Sequence, residues 1–413
     1  MVGPFMPEEE KLAAVREGLP ATAAGIYLNT GSAGPLPAET ARAMAEVTAV
    51  ELATGRAHPD YLMDGLPRMD EARAAVAAIA GTTIDQIALT HASTDGMNLA
   101  TLAADWHSGD LAVTSTQEHP GGLGPLYAMR ERFGVELAFV DPDPDGDDDR
   151  TVAAFDAAIR PGTRLVSISH VLWTTGALMP VQRIAALAHE RGALVVVDGA
   201  QAMGAIPVSV GDTGADLYAM SSQKWLLGPD GMGALWCSPA ALERTHSMLA
   251  GWFSFSEIDG AGKAVVQPDA RRFQVSNYHR PSVVGMARSC GWLSMFVGLE
   301  WIHARARALA RRTRDLLVEI DGVELLTPAD RMATLITFRI AGWEAQAALD
   351  ELGARAFAIA RTIPQLDALR ISIGFFNTEE EIDRLVECVA LLAAHTPVTI
   401  PPRRRLTIVG SER

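Results

Sequence analysis

Short apolar runs alternate with alanine-rich amphipathic stretches along most of the chain. Residues 86–90, 111–114, 136–140, 164–169, 193–198 and 216–220 have the length and apolar content of strands. Between them, residues 151–159 and 181–191 carry helical periodicity, and the second stretch, VQRIAALAHER, stops at Gly192. Strands alternating with helices predict an α/β fold with a mostly parallel sheet covered on both faces. In such sheets ligands bind beyond the carboxyl ends of the strands, so the chemistry is sought in the loops that follow these runs. The pattern changes near residue 290. A long helical segment at 295–320, strand-like LITFRI and LRISIGF, and a last helix at 379–395 predict a smaller α+β domain. The predicted division is an N-terminal segment, 1–25, packing on the small domain; a large domain, 26–289; a small domain, 290–400; and a tail, 401–413. The acidic DPDPDGDDD at 141–149 reads as a solvated loop without the ordered ligand spacing of a calcium site, and no metal site is predicted.

Composition narrows the function classes. Of 413 residues, 48% are apolar and 21% charged, which is globular rather than disordered. A net charge of −15 repels phosphate backbones and argues against a nucleic-acid partner. No apolar run reaches the roughly 18 residues of a membrane helix, so no membrane partner is expected. Three scattered cysteines fit a reducing compartment better than a disulfide framework. The N-terminus lacks the basic-then-apolar pattern of a signal peptide, and the expected location is the cytoplasm.

Four stretches carry candidate chemistry. The apolar run VVVD ends in Asp198, and Lys224 follows the strand-like DLYAM within SSQK. A lysine desolvated at a strand end has a lowered pKa and an available nucleophile. An acid at a neighbouring strand end can pair with a cationic heterocycle, and pyridoxal phosphate needs both groups. A surface lysine and a helix-capping aspartate fit the same spacing. STDGMN follows the run 86–90 and opens a helix, so Ser93 and Thr94 are placed to hold an anion on free N–H groups, or simply to cap the helix. His119 follows the run 111–114, where an imidazole can stack on a ring or move protons, or serve a purely structural role.

IYLNTGSAGPLP at 26–37, STDGMN, EH, VDGAQ, SSQKW and ISIGFFNTEEEIDRL at 371–385 together resemble the class V aminotransferases of pyridoxal phosphate fold type I. That group contains cysteine desulfurases, isopenicillin N epimerase-like proteins and cystine or cysteine-conjugate C–S lyases. The resemblance implies a large domain built on a mostly parallel seven-stranded sheet, pyridoxal 5'-phosphate as cofactor, an amino-acid substrate, and a homodimer with active sites at the interface. It implies that Lys224 carries the cofactor, Asp198 pairs with its ring nitrogen, Gln201 bonds its phenolic oxygen and His119 stacks on the ring. Ser93, Thr94, Ser221 and Gln223 would bind the phosphate, although desulfurases usually carry His at the position of Gln223. Asn277 sits about where the family has a Thr that reaches the phosphate of the neighbouring subunit. Arg370 matches the arginine that forks the substrate α-carboxylate, Arg361 resembles a second arginine, and Asn29 lines the same pocket.

The departures select among activities. Desulfurases carry a nucleophilic Cys before the last arginine, but residues 361–370 contain none. Cys388 reads as packing in the last helix, Cys237 follows the strand-like GALW, and Cys290 begins a helix. Many desulfurases have an Asn near the position of Trp173, which here either walls the substrate pocket or packs in the core. The resulting expectation is β-elimination from an S-substituted cysteine or cystine. Transamination, epimerisation, and oxidation with decarboxylation remain as alternatives. Residues 251–267 either cover the pocket or form an interface.

Overall fold

A computed structural model describes residues 6–403, so 1–5 and most of the expected tail lie outside the described residues. Seven strands form the central sheet: β1 (Ile87–Thr90), β2 (Leu111–Ser115), β3 (Glu136–Val140), β4 (Thr163–Ser169), β5 (Leu194–Asp198), β6 (Leu217–Ser221) and β7 (Gly233–Cys237). Their order is β1-β7-β6-β5-β4-β2-β3. β7 pairs antiparallel with both neighbours and the other pairs are parallel. Every residue of β5, β6 and β7 is buried, as expected for strands covered on both faces. The predicted strand limits hold to within about a residue.

Two apolar layers sandwich this sheet. One gathers Val113, Ile168, Val195 and Val197 with Met69 and Val76 of the helix Gly65–Ala80. The other gathers Ala112, Leu165, Leu194 and Val196 with Leu99 of the helix Ser93–Leu102 and Leu126 of the helix Pro120–Phe133. The alternation along β5 thus sends successive valines into opposite layers.

A second, four-stranded antiparallel sheet follows: β8 (Val323–Leu325), β9 (Leu335–Ile340), β10 (Arg361–Ile363) and β11 (Ala368–Ser372), in the order β8-β9-β11-β10. Its own apolar cluster joins Phe338 and Ile371 to Leu385 and Val389 of the helix Glu379–Ala393. The helix Glu8–Gly18 spans both regions. Val15 enters the large cluster, and Arg16 reaches the Phe376 carbonyl at 2.9 Å and Glu381 at 2.8 Å.

Three expectations need correction. The predicted helix 295–320 is broken, because a π-helical turn, Trp292–Val297, ends at Gly298 with φ 92° and a new helix runs Leu299–Val318. The acidic stretch 141–149 is not all loop. Asp147 caps the helix Asp148–Ala158 by accepting from the Arg150 amide at 2.9 Å, and acids in that first turn suit the helix dipole. Cys290 lies near the end of the helix Arg280–Gly291, not at its start. Among the described residues no single helix is long and apolar enough to cross a membrane, and no group of three or more His, Cys, Asp or Glu could hold a metal.

Candidate functional site

The carboxyl ends of β5 and β6, the loop after β2 and the start of the helix Ser93–Leu102 converge. Asp198 closes β5 and is buried, with its Oδ1 accepting from the Ala200 amide at 2.9 Å. Gly199 follows because a side chain there would run into the Tyr218 ring. Lys224 sits in the tight turn after β6, where the Leu227 amide bonds the Lys224 carbonyl at 3.1 Å and the Gly228 amide bonds Ser222 at 2.9 Å. Leu227 holds φ 51°, a left-handed conformation that a branched side chain adopts only under constraint. The Lys224 amine makes no hydrogen bond or ion pair among the described residues. Burial pulls its pKa below the usual lysine value; the Asp198 charge opposes this, while Arg370 and Arg361 add to it.

Ser93 opens its helix, and its Oγ lies 2.8 Å from Ser221 Oγ at the end of β6. Both are buried, and beside them Ser222 Oγ and Gln223 Oε1 are buried without a partner. Hydroxyls and free helix N–H groups form a place for a phosphate. Thr94, next in the helix, is exposed. His119 caps the helix Pro120–Phe133, its Nδ1 accepting from the Gly121 amide at 3.0 Å, and stands edge-on to Trp173 at 5.2 Å between ring centres. Burial, and then the Lys224 charge, lower its pKa. Gln201 is already engaged: its Nε2 donates to the Gly31 carbonyl at 2.7 Å and its Oε1 accepts from Trp225 at 2.9 Å. One N–H of that amide is left for another acceptor.

The small sheet supplies two cations. Arg361 on β10 stands directly opposite Arg370 on β11. Arg370 is fully buried. Its Nη1 donates to the Trp173 carbonyl at 2.7 Å, whereas Nε and Nη2 have no partner. Burial, with Arg361 adding to it, pulls its pKa down to about 9. Arg361 reaches Ser32 Oγ at 3.2 Å, and its guanidinium lies 5.7 Å from the Trp173 ring centre. Ser32 in turn donates to Asn29 Oδ1 at 2.7 Å. Two facing guanidiniums, one with two free nitrogens, have the chemistry to receive a carboxylate.

Asn277 does not join this cluster within the chain. It is exposed and lines a separate cavity of about 180 Å³ with Arg280 and Phe253. Residues 251–267 also stand apart and form the hairpin Phe255–Ile258 with Ala264–Val266. Sequence reasoning missed Glu118. It is buried, its Oε1 accepts from Ser115 at 2.6 Å and its Oε2 from Ser169 at 2.5 Å, and burial pushes its pKa up to about 7. A glutamate beside the candidate histidine His119 was the only available signal. Trp225 was missed as well, although it lies inside the quoted SSQKW.

All three cysteines are buried. Burial raises the thiol pKa of Cys290 and Cys388 to about 12 and about 11, and pushes that of Cys237 higher still. Cys237 closes β7, Cys290 lies in the helix Arg280–Gly291 and Cys388 in the helix Glu379–Ala393. The donor set of paired serines, a partnerless buried amine and a strand-end acid fits the phosphorylated pyridine aldehyde that the sequence resemblance implies.

Residues 26–385 match the family described as aminotransferase class-V. The chain is 32% identical over 390 residues to isopenicillin N epimerase of Streptomyces clavuligerus, covering 89% of this chain and 94% of that protein. It is 27% identical over 404 residues to a probable cysteine desulfurase of Methanothermobacter thermautotrophicus, covering 94% and 99%. Among solved structures, a C-DES mutant with glycine covalently linked to the PLP cofactor superposes with a TM-score of 0.86 at 25% identity, covering 91% of this chain and 98% of that one.

Proposed function

The chain belongs to the aminotransferase class-V family, and from that premise we propose that it is a pyridoxal phosphate-dependent lyase acting on an S-substituted cysteine or cystine. The cofactor, when bound, supplies an electron sink for the α-carbon of an amino acid. Lys224 would hold it covalently, and Asp198 would face its ring nitrogen. Ser93 and Ser221, with Thr94, Ser222 and Gln223 beside them, would receive the phosphate. His119 would lie against the ring, and Gln201 would offer its remaining N–H to the phenolic oxygen.

One observation carries the substrate reading: the two partnerless nitrogens of fully buried Arg370. A buried cation left with free donors is costly unless a ligand satisfies it. The Nε and Nη2 edge of a guanidinium matches a carboxylate side-on. Arg370 therefore orients the α-carboxylate, with Arg361 adding charge. The Lys224 amine, whose pKa burial lowers, takes the α-proton. Loss of the β-sulfur as a thiol, followed by addition of water, gives pyruvate and ammonia. Each of the three thiols is buried and has its pKa raised by that burial, which supports elimination over persulfide transfer.

Identity to isopenicillin N epimerase favours a second reading, in which the same α-carbon is reprotonated on its opposite face. Exposed Leu52, Met63, Leu66 and Trp252 support the expected homodimer, because apolar surface of this kind is normally covered. The deciding experiment incubates reconstituted protein with cystine and S-alkyl cysteines and reads product masses. Pyruvate with a thiol or persulfide is the expected result. An inverted α-carbon with the sulfur retained would replace elimination by epimerisation.

A further inference from the structure

A cavity of about 330 Å³ lies behind the loop that carries Trp173, and it shares no residue with the cluster around Lys224 and Arg370. One wall is a face of the helix Leu299–Val318, which presents His303, Arg307 and Arg311 at intervals of one turn. The opposite wall is the approach to β9, residues 330–334, tied to the Trp173 loop by the Ala333 amide on the Gly176 carbonyl at 3.1 Å. Met179 and residues 205–207 close the remainder.

The polar groups on this lining are unusually short of partners. Among the described residues, neither Arg307 nor Arg311 forms a hydrogen bond or ion pair, although the protein carries a net charge of −15. The Thr334 side chain is 1% exposed, and its Oγ1 has no partner. His303 Nε2 is buried without one. Buried polar groups in native proteins are normally satisfied, and orphans that line a cavity mark where a ligand or ordered water completes the set. Burial, and then Arg307, hold His303 down to about pKa 4, so near pH 7 it is a neutral hydrogen-bonding group.

The charge distribution picks the ligand's sign. Arg331 is held by Asp148 at 2.9 Å, and Asp330 is the carboxylate on the lining. An adjoining depression of about 350 Å³ shares His170 and Arg331 but carries Asp148 and Asp212. The unpaired positive charge therefore sits on the side of the helix Leu299–Val318. Positions four apart on a helix are separated by about 6 Å along its axis, so a small molecule with two charged groups can meet both guanidiniums.

We propose that this cavity is a second ligand site, which takes a small polyanion through Arg307 and Arg311 with Thr334 and His303 as neutral partners. Two guanidinium forks suit phosphates and carboxylates alike. Inorganic pyrophosphate and citrate are therefore the probes that separate the two chemistries.

The test is calorimetric titration of each probe into the cofactor-loaded protein, whose own phosphate cradle is then filled. Saturable binding of at least one probe is expected. The double variant Arg307→Gln, Arg311→Gln should weaken it at least tenfold while leaving the visible absorbance of the bound cofactor unchanged. Arg312→Gln, on the same helix but paired to Asp383, should leave the affinity as it is. Failure of both probes to saturate, or equal weakening by Arg312→Gln and the double variant, would overturn the site. Neither result bears on the reaction proposed for the Lys224 site, because the cavity shares no residue with that site and product masses read the reaction separately.

Discussion

Two arginines of this chain are buried almost equally, and their surroundings differ completely. Arg73 is 2% exposed and fully engaged: Nε donates to the Ile87 carbonyl at 2.8 Å, Nη2 to the Ile84 carbonyl at 2.7 Å, and Nη1 to Asp70 at 2.7 Å. Arg370 is 0% exposed and makes one bond, to the Trp173 carbonyl. Arg73 ties the helix Gly65–Ala80 to the start of β1, and its charge is neutralised locally. Arg370 is held in place by its sheet neighbours while two of its donors go unused, so part of its interaction energy is withheld from folding. Burial alone does not separate a structural cation from a binding one; the unspent hydrogen bonds do.

The largest expected effect lies outside both arginines. Lys224→Ala should abolish turnover in a product assay, and normal activity in that variant would remove the lysine from the reaction. Next comes Arg370→Lys, which keeps the charge and loses the fork. It should lower kcat/KM by about a hundredfold or more, equivalent to roughly 3 kcal/mol of lost binding and orientation. Its melting temperature should not fall much, since only the Trp173 bond is lost. Arg73→Met should do the opposite: about 2–4 kcal/mol of stability lost in urea unfolding, because two carbonyls are orphaned, with kcat unchanged. If both variants lost stability alike, the distinction between the two sites would fail.

A smaller effect attaches to Glu118, whose carboxyl is raised from an ordinary value near 4.5 to about 7. A raised acid favours the folded state while both states are protonated. That advantage is lost as pH rises from the unfolded value through the folded one, between about 4.5 and 7. Glu118→Gln should therefore gain stability relative to the wild type by ~3 kcal/mol on going from pH 4.5 to pH 8, read from urea midpoints. A pH-independent difference would mean that the carboxyl is not held neutral. The smallest effect is expected of Cys388→Ser, which should leave turnover within about twofold. A large loss would restore a role for a thiol.

The strand-and-loop half of this site was legible because contiguous motifs build it. Asp198, Lys224 and Ser93 each sit just beyond a recognisable apolar run, and parallel topology brings those strand ends together. The arginine half of the candidate site was legible only through family resemblance. That Arg361 faces Arg370 depends on the antiparallel register of β10 and β11, which no local pattern encodes. Whether a polar group is satisfied is also a tertiary fact. Gln201 is largely occupied by Gly31 and Trp225, and Glu118 has two serines and no cation, yet neither environment can be read from neighbours in sequence. The broken helix at Gly298 was hidden for another reason, because the apolar periodicity continues across the break.

The most direct measurement is α-proton exchange in deuterium oxide. Cofactor-loaded protein is given S-methyl-cysteine or its decarboxylated counterpart, an amine of the same side chain, and deuterium incorporation or product formation is followed by mass. α-Carbon labelling or turnover is expected for the amino acid alone, abolished in Lys224→Ala and lowered by about a hundredfold or more in Arg370→Lys. Equal reaction of the carboxylate-free amine, or unaltered reaction of the amino acid in Arg370→Lys, would contradict it.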